Sequence, residues 1–217
     1  MGKGVFWRPL AAGLLMLASA PSQALMLDYG GFYDRMKVVN KADYPLVSIA
    51  FYLNHRARMV PCEITHAALR FKGEILPLGV NTHNELLLPF KAEFKTDKAV
   101  LDLTVEEGAQ CDFAMQLRYA DPLQSTFSPV ELAALIQQFD QVLKGFAGFP
   151  FRLLQPDVTG VVIQLAPDSL ATGESGQALM AAVDERGRIT LTLDQLDALG
   201  SMAFSAPPRW IGPYIVR

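Results

Sequence analysis

The chain has 217 residues, of which 51% are hydrophobic, and its 19 basic and 22 acidic side chains give a formal net charge of −3. That mild acidity excludes nucleic acid as a partner, because such binding rests on neutralising a run of phosphates. With two cysteines the chain is no disulfide-dense scaffold, and its length admits one large or two small domains.

The N-terminus reads as a leader. Lys3 and Arg8 precede an uncharged apolar run from Leu10 to Ala20, and Pro21 interrupts it. Ser22-Gln23-Ala24 then sets small side chains at the positions that a signal peptidase reads. The pattern predicts a secretory signal peptide over 1–24, cut after Ala24. The apolar run is shorter than the roughly 20 residues of a spanning helix. No cysteine follows it to carry a lipid, and no later segment is long and apolar enough to cross a bilayer. The mature chain is expected to be soluble and not membrane-spanning. Loss of Lys3 and Arg8 moves its net charge to −5.

Phe32, Met36 and Val39 recur at helical spacing, which predicts a short helix over 31–39, and 41–45 reads as a turn. From Leu46 the period becomes two. Val47, Ile49, Phe51 and Leu53 fall on one face of a strand and Ser48, Ala50 and Tyr52 on the other. Ala67, Leu69 and Phe71 alternate with polar or small neighbours, and Lys72-Gly73-Glu74 turns the chain back through Ile75 to Leu78. Leu86, Leu88 and Phe90 suggest an edge strand, given Pro89. Two further strands follow: Leu101, Leu103 and Val105, then Cys111, Phe113, Met115, Leu117 and Tyr119 on one face opposite Asp112, Gln116 and Arg118. Short, half-buried strands at this spacing argue for an antiparallel β-sandwich. An immunoglobulin domain is excluded by the lack of a Trp between Cys62 and Cys111 and of a Tyr two residues before the second.

Ser128-Pro129-Val130-Glu131 is a capped helix start, followed by an apolar stripe of Leu132, Leu135, Ile136, Phe139, Val142 and Leu143, with Gly145 as the expected stop. The β pattern resumes over 158–165, and 168–177 is expected to loop out. A hairpin is predicted from arms 178–183 and 188–193 around Asp184-Glu185-Arg186-Gly187. Asp194 is placed to cap a short helical turn through Leu199, ended by Gly200, and the Pro-rich tail from Met202 to Arg217 should run extended. The expected architecture is mainly β (α+β): a signal peptide 1–24, a sandwich-like part 25–122 and a helix plus smaller β-rich part 123–217. The last two can share one core.

In an exported chain an even pair of cysteines predicts one disulfide, Cys62–Cys111. A metal site is the rival, since His66 follows Cys62 by four residues, but His55, His66 and His83 form no recognised ligand spacing. No metal and no cofactor is expected. Gly173-Glu174-Ser175-Gly176 matches the nucleophile segment of trypsin-like serine proteases over four residues, yet no histidine has the matching context, and a flexible loop is the better reading. The carboxylate pairs Glu106–Glu107 and Asp184–Glu185 sit at strand ends or turns, where solvated charge is ordinary. His55, Arg56 and Arg58 form a basic cluster suited to an anionic headgroup or a glycan, or simply a solvated loop. Trp210 and Tyr214 can be a sugar platform, a partner contact or the anchor of the tail onto a sheet.

The stretch Asp28-Tyr29-Gly30-Gly31-Phe32-Tyr33-Asp34-Arg35-Met36-Lys37-Val38-Val39-Asn40-Lys41, the strand from Tyr44 to Leu53, and the contexts Pro61-Cys62 and Gln110-Cys111-Asp112 resemble an uncharacterised family of exported gammaproteobacterial proteins, a domain of unknown function. The resemblance implies a Gram-negative periplasm and no active-site residues. Three functions stay open: a non-catalytic envelope protein that binds a protein partner or supports an assembly, a periplasmic ligand-binding module with glycans as the natural ligand, and a hydrolase with a site outside the known motifs. The first is preferred. Nothing in the sequence speaks to oligomeric state.

Overall fold

The computed structural model describes residues 22–41, 43–58, 60–120, 122–179 and 182–216. The predicted leader, as far as residue 21, lies outside them, as do 180, 181 and Arg217. β1 (Ser22–Asp28) leads directly into α1 (Tyr29–Val39), whose first turn is capped by the Asp28 carboxylate accepting from Gly30 N–H at 3.0 Å. Tyr29, Phe32, Met36 and Val39 face inward from α1. β2 (Val47–His55) and β3 (Ile64–Phe71) follow, and β3 turns into β4 (Glu74–Pro77) through Lys72 at φ 51° and Gly73 at φ 84°, the left-handed pair that a tight two-residue hairpin demands. β5 (Gly79–Val80), β6 (Leu86–Leu87), α2 (Ala92–Thr96), β7 (Val100–Glu107) and β8 (Cys111–Tyr119) complete the first half.

Two antiparallel sheets result, ordered β1-β7-β3-β4 and β5-β6-β2-β8. Leu69, Leu101, Leu103 and Val105 from one meet Phe51, Leu53 and Leu86 from the other, with Tyr29, Phe32 and Phe94 of the helices closing one side. This is the expected sandwich. The Cys62–Cys111 disulfide lies at its edge with Cα atoms 6.5 Å apart, both residues essentially fully buried.

β9 (Thr126–Phe127) precedes α3 (Pro129–Ala147), a 3₁₀ turn (Phe151–Leu153), β10 (Gly160–Gln164), β11 (Ala171–Thr172), β12 (Arg188–Thr192), α4 (Leu193–Leu199), β13 (Met202–Phe204) and β14 (Trp210–Tyr214). They form the sheets β12-β10-β14 and β11-β13-β9. The chain is therefore α+β and mainly β. The stripe of α3 packs with Val161, Ile163, Ile189 and Ile211 in a second cluster, which also takes in Val39, Val47, Leu117 and Tyr119. Residues on both sides of position 122 share that cluster. β14 also lies alongside β8, so close that a Cβ at Gly212 would stand 3.2 Å from the Leu117 carbonyl oxygen.

Several expectations need correction. α3 runs through Gly145 and stops at Gly148, whose φ of 67° suits a helix end. Gly145 serves packing instead, since a Cβ there would meet Val38 Cγ1 at 3.0 Å. The capping box of α3 is half formed. Ser128 accepts from Glu131 N–H, but the Glu131 carboxylate accepts from the Tyr119 hydroxyl at 2.7 Å and ties α3 to β8. Burial, reinforced by Glu131, pushes the Tyr119 hydroxyl pKa up. The cap of α4 is Thr192 with Gln195, not Asp194. Among the described residues of the arm 178–183 no strand forms: Ala178 and Val183 make only the single bridges Thr172↔Ala178 and Val183↔Ile189, and the ladder of β12 is with β10. The 168–177 stretch contains β11, paired to β13. Beyond Leu87 the Leu86–Phe90 strand is lost to Pro89, and α2 with its buried Phe94 carried no predicted signal.

The disulfide spans 49 residues, a loop whose closure stabilises the folded chain by about 4 kcal/mol on the chain-entropy model. The Cys62→Ala/Cys111→Ala double variant is expected to lose about 2–5 kcal/mol in urea unfolding. An unchanged midpoint would show that the sandwich does not depend on the cross-link.

Candidate functional site

The floor of the candidate site is the outer face of the β2–β8 ladder. Antiparallel register pairs Tyr52 with Ala114, Ala50 with Gln116 and Ser48 with Arg118, so that these side chains and Asn54 share a face turned away from the sandwich core. Tyr52 and Ala50 are nevertheless buried. The Arg118 guanidinium lies 5.0 Å from the centre of the Tyr52 ring, and the Tyr52 hydroxyl donates to Glu85 Oε2 at 3.3 Å. Glu85 also accepts from Asn81 Nδ2 at 3.0 Å and lies 3.5 Å from Arg118. Glu85 is thus fully engaged beside this floor.

The opposite wall is organised by Gln164 at the end of β10. Its side-chain Nε2 donates to the Arg186 and Gly187 carbonyls at 2.9 and 3.1 Å, and its backbone carbonyl accepts from Arg209 N–H at 2.8 Å. In the ladders Gln164 stands opposite Arg188 on one side and Trp210 on the other. One residue therefore sets the position of three arginines and a tryptophan. Gly187 is required here. Its φ of 71° closes the turn, and a Cβ would sit 3.3 Å from Gln164 Nε2. Asp184 holds the turn from the other side: Oδ1 accepts from the Arg186 and Arg188 backbone N–H groups at 2.9 and 3.0 Å, and Oδ2 from the Arg188 guanidinium at 2.9 and 2.7 Å.

Between floor and wall lies a cleft of about 790 Å³ lined by Arg58, Arg118, Arg186, Arg188 and Arg209 with Tyr52, Asn54, His83, Asn84, Gln116 and Trp210. None of the described residues lining it is acidic. Arg118 and Arg188 have carboxylate partners, whereas among the described residues no carboxylate pairs with Arg58, Arg186 or Arg209. The Asn54 side-chain oxygen is buried and accepts no hydrogen bond among the described residues. Planar guanidinia that present fixed donor pairs, in a concave wall that focuses their field, can bind a carboxylate, phosphate or sulfate.

The residues nominated from sequence are only partly brought together. Arg58 and Trp210 line the cleft. Tyr214 is at the far end of β14, opposite Gly160. Arg56 turns away to a two-point contact with Asp112 at 2.8 and 2.9 Å, and that hydrogen bonding holds the exposed Asp112 carboxyl below the usual range. His55 is buried rather than solvated, with Nε2 2.7 Å from Glu106 Oε1 and in contact with Arg58. His55, Cys62 and Cys111 place their ligand atoms within 4.8 Å of one another, but two sulfurs joined in a disulfide offer no thiolate to a metal. Ser175 donates to Gln177 Oε1 in a tight turn, and no histidine is bonded to it among the described residues. Arg118, Arg186, Arg188, Arg209 and Gln164 were not nominated. Arg209-Trp210 and the Arg186-Gly187-Arg188 turn were the only local signals for them.

A family model described as a protein of unknown function, DUF2987, matches residues 21–165. That span holds the floor of the cleft and Gln164. No curated protein and no solved structure matches the chain.

Hydrogen bonds from Arg188 hold the Asp184 carboxyl below the ordinary carboxylate range. Because it ionises at lower pH than in the unfolded chain, its support of the turn is complete above about pH 4 and is lost as pH falls through the lowered folded value. A carboxyl NMR titration should find Asp184 depressed in the wild type and shifted up toward the ordinary range in Arg188→Gln, which keeps the two backbone donors. An ordinary value in the wild type would contradict this.

Proposed function

The chain belongs to the DUF2987 family of proteins of unknown function, and from that premise we propose that it is an exported, non-catalytic binding protein that holds an anionic ligand in its arginine-lined cleft. One observation carries the reading. A chain of net negative charge gathers five of its arginines around one acid-free cleft and leaves three of them without a carboxylate partner among the described residues. All three are exposed, so an anion meets them without first breaking an ion pair, and their gathering in one concave wall focuses positive potential there, which supports an anionic ligand.

Export to the periplasm is part of the proposal. It is supported by the leader pattern over 1–24 and by the disulfide, which persists in an oxidising compartment. A cut after Ala24 leaves Leu25–Asp28 paired to Leu103–Val100, so the lead-in to α1 survives processing. No helix of the described residues is long and apolar enough to cross a membrane.

A second reading, contact with a protein partner in the envelope, is favoured by the turn after α3. There Phe149, Phe151, Leu153 and Leu154 are each between 64% and 83% exposed, an apolar surface that water does not favour.

Trp210 is the only tryptophan of residues 25–217, and it lies in the cleft, so its fluorescence reports occupancy. Titration with pyrophosphate should change that signal, with affinity falling as salt is raised. The Arg186→Ala/Arg209→Ala double variant should weaken binding at least about tenfold, or about 1.4 kcal/mol. A wild-type signal indifferent to pyrophosphate, or a double variant of equal affinity, would overturn the proposal.

A further inference from the structure

We infer that the ligand of the cleft is an anionic amphiphile, an acidic head group carried on an apolar chain. The inference rests on the anion-binding reading and adds a place for the chain. A second cavity, of about 260 Å³, adjoins the cleft and shares Met115, Gln116, Arg188 and Trp210 with it. Beyond those four its side chains are apolar: Leu143 and Phe146 from α3, Val162 from β10, Pro213 of β14 and Ile215 just past it among them. Arg188 is the one charged residue among the described residues that line it, and it belongs to the shared side. Arginine-lined in one part and apolar in the other, the joined cavities match the two ends of an amphiphile.

The apolar wall is open to water. Leu143, Phe146 and Ile215 border the core around α3 without being buried in it, and Met115 is 40% exposed. Such a surface is stabilised when an apolar group covers it. The smaller cavity falls below the size range of a small-molecule site, so it suits an appendage of the ligand that the cleft holds. Gly212 keeps the junction clear. A Cβ there would stand 3.5 Å from Gln116 Nε2 and from Trp210 Cζ3, two of the shared residues, and 3.2 Å from the Leu117 carbonyl oxygen. Half-buried Trp210, an apolar ring with a single polar N–H, suits the boundary between head group and chain.

An acidic peptide with an apolar anchor is the competing occupant. Extended peptides commonly bind by adding a strand to an open sheet edge. β14 and β8 are the outer strands of their sheets, but they lie against each other at Gly212 and Leu117, so neither offers an open edge along that contact.

The test is calorimetric titration of residues 25–217 with butyl phosphate, octyl phosphate, octyl glucoside, pyrophosphate and an alternating glutamate–leucine hexapeptide, the amphiphiles kept below their micelle concentrations. Each methylene that leaves water for an apolar site is worth about fourfold in affinity. Octyl phosphate should therefore bind at least about tenfold more tightly than butyl phosphate, and by a similar factor more tightly than octyl glucoside and the peptide. Phe146→Gln and, separately, Val162→Thr, which exchanges a methyl for a hydroxyl at nearly the same size, should each cut the octyl-to-butyl ratio at least about threefold. Both should leave pyrophosphate within about twofold of the wild type. Circular dichroism and the thermal midpoint establish that both variants are folded. Pyrophosphate binding with octyl and butyl phosphate equal, with the peptide as tight as octyl phosphate, or with the ratio unchanged in both folded variants, overturns this inference and leaves the anion reading standing. Octyl glucoside binding as tightly as octyl phosphate without any binding of pyrophosphate, or no binding of any probe, overturns both.

Discussion

The nine-residue antiparallel ladder between β2 and β8 is the constraint on which the rest of the molecule depends. Its inner face crosses both hydrophobic clusters. Phe51, Leu53 and Cys111 sit in the sandwich core, while Val47, Leu117 and Tyr119 sit in the core built around α3. Because strand side chains alternate, the same register that commits the odd positions of β2 to those cores commits Tyr52 and Asn54 to the outer face. A slip of one residue would expose the cores and bury the floor of the cleft together. Tyr119 then ties the ladder to α3 through Glu131, and the disulfide closes its other end.

The second half of the chain meets this beam through one polar residue. Gln164 uses its side-chain amide to hold the 184–187 turn and its backbone to hold the start of β14. Such a hub converts ordinary strand pairing into a placed set of arginines. The charge in the cleft is local. Glu85 and Asp184 reach the cleft arginines Arg118 and Arg188, while other acids pair away from it, Asp112 with Arg56, Asp102 with Arg70, and Asp140 and Asp157 with Lys144. The Lys144 ammonium is held above its usual pKa by the carboxylates of Asp140 and then Asp157. Net charge was a poor guide to this site, because it averages over a surface whose two signs are segregated.

Much of the scaffold was legible from sequence because its signals are local. The alternation of β2 and β7 marked their inner faces, Ser128-Pro129 marked the start of α3, and Gly187 marked a turn that demands positive φ, whereas on the expected inner face of β8 Phe113 and Met115 are 37% and 40% exposed. What failed depended on neighbours. Gly145 looked like a stop until Val38 occupied the space beside it, and Glu131 looked like half of a capping box until the Tyr119 hydroxyl reached it. The cleft failed most completely. Arg58 and Trp210 were nominated for separate reasons, but Arg118 read as part of the polar face of its strand, Arg186 as a turn residue and Arg188 as the start of a hairpin arm, and Gln164 was not singled out within the strand expected over 158–165. Only the ladders of β10 with β12 and β14, and the approach of β14 to β8, bring them into one wall.

The central claim is that negative charge is bound at this wall and nowhere else on the surface. Arginine side-chain Nε–Hε and indole N–H resonances, followed by NMR during addition of pyrophosphate, test it residue by residue. The account predicts that Arg58, Arg186, Arg209 and the Trp210 indole shift together along one binding curve, while Arg35 and Arg56 stay in place. Shifts confined to Arg35, or to Arg152 and the exposed Phe149–Leu154 turn, with the cleft arginines unmoved, would contradict it.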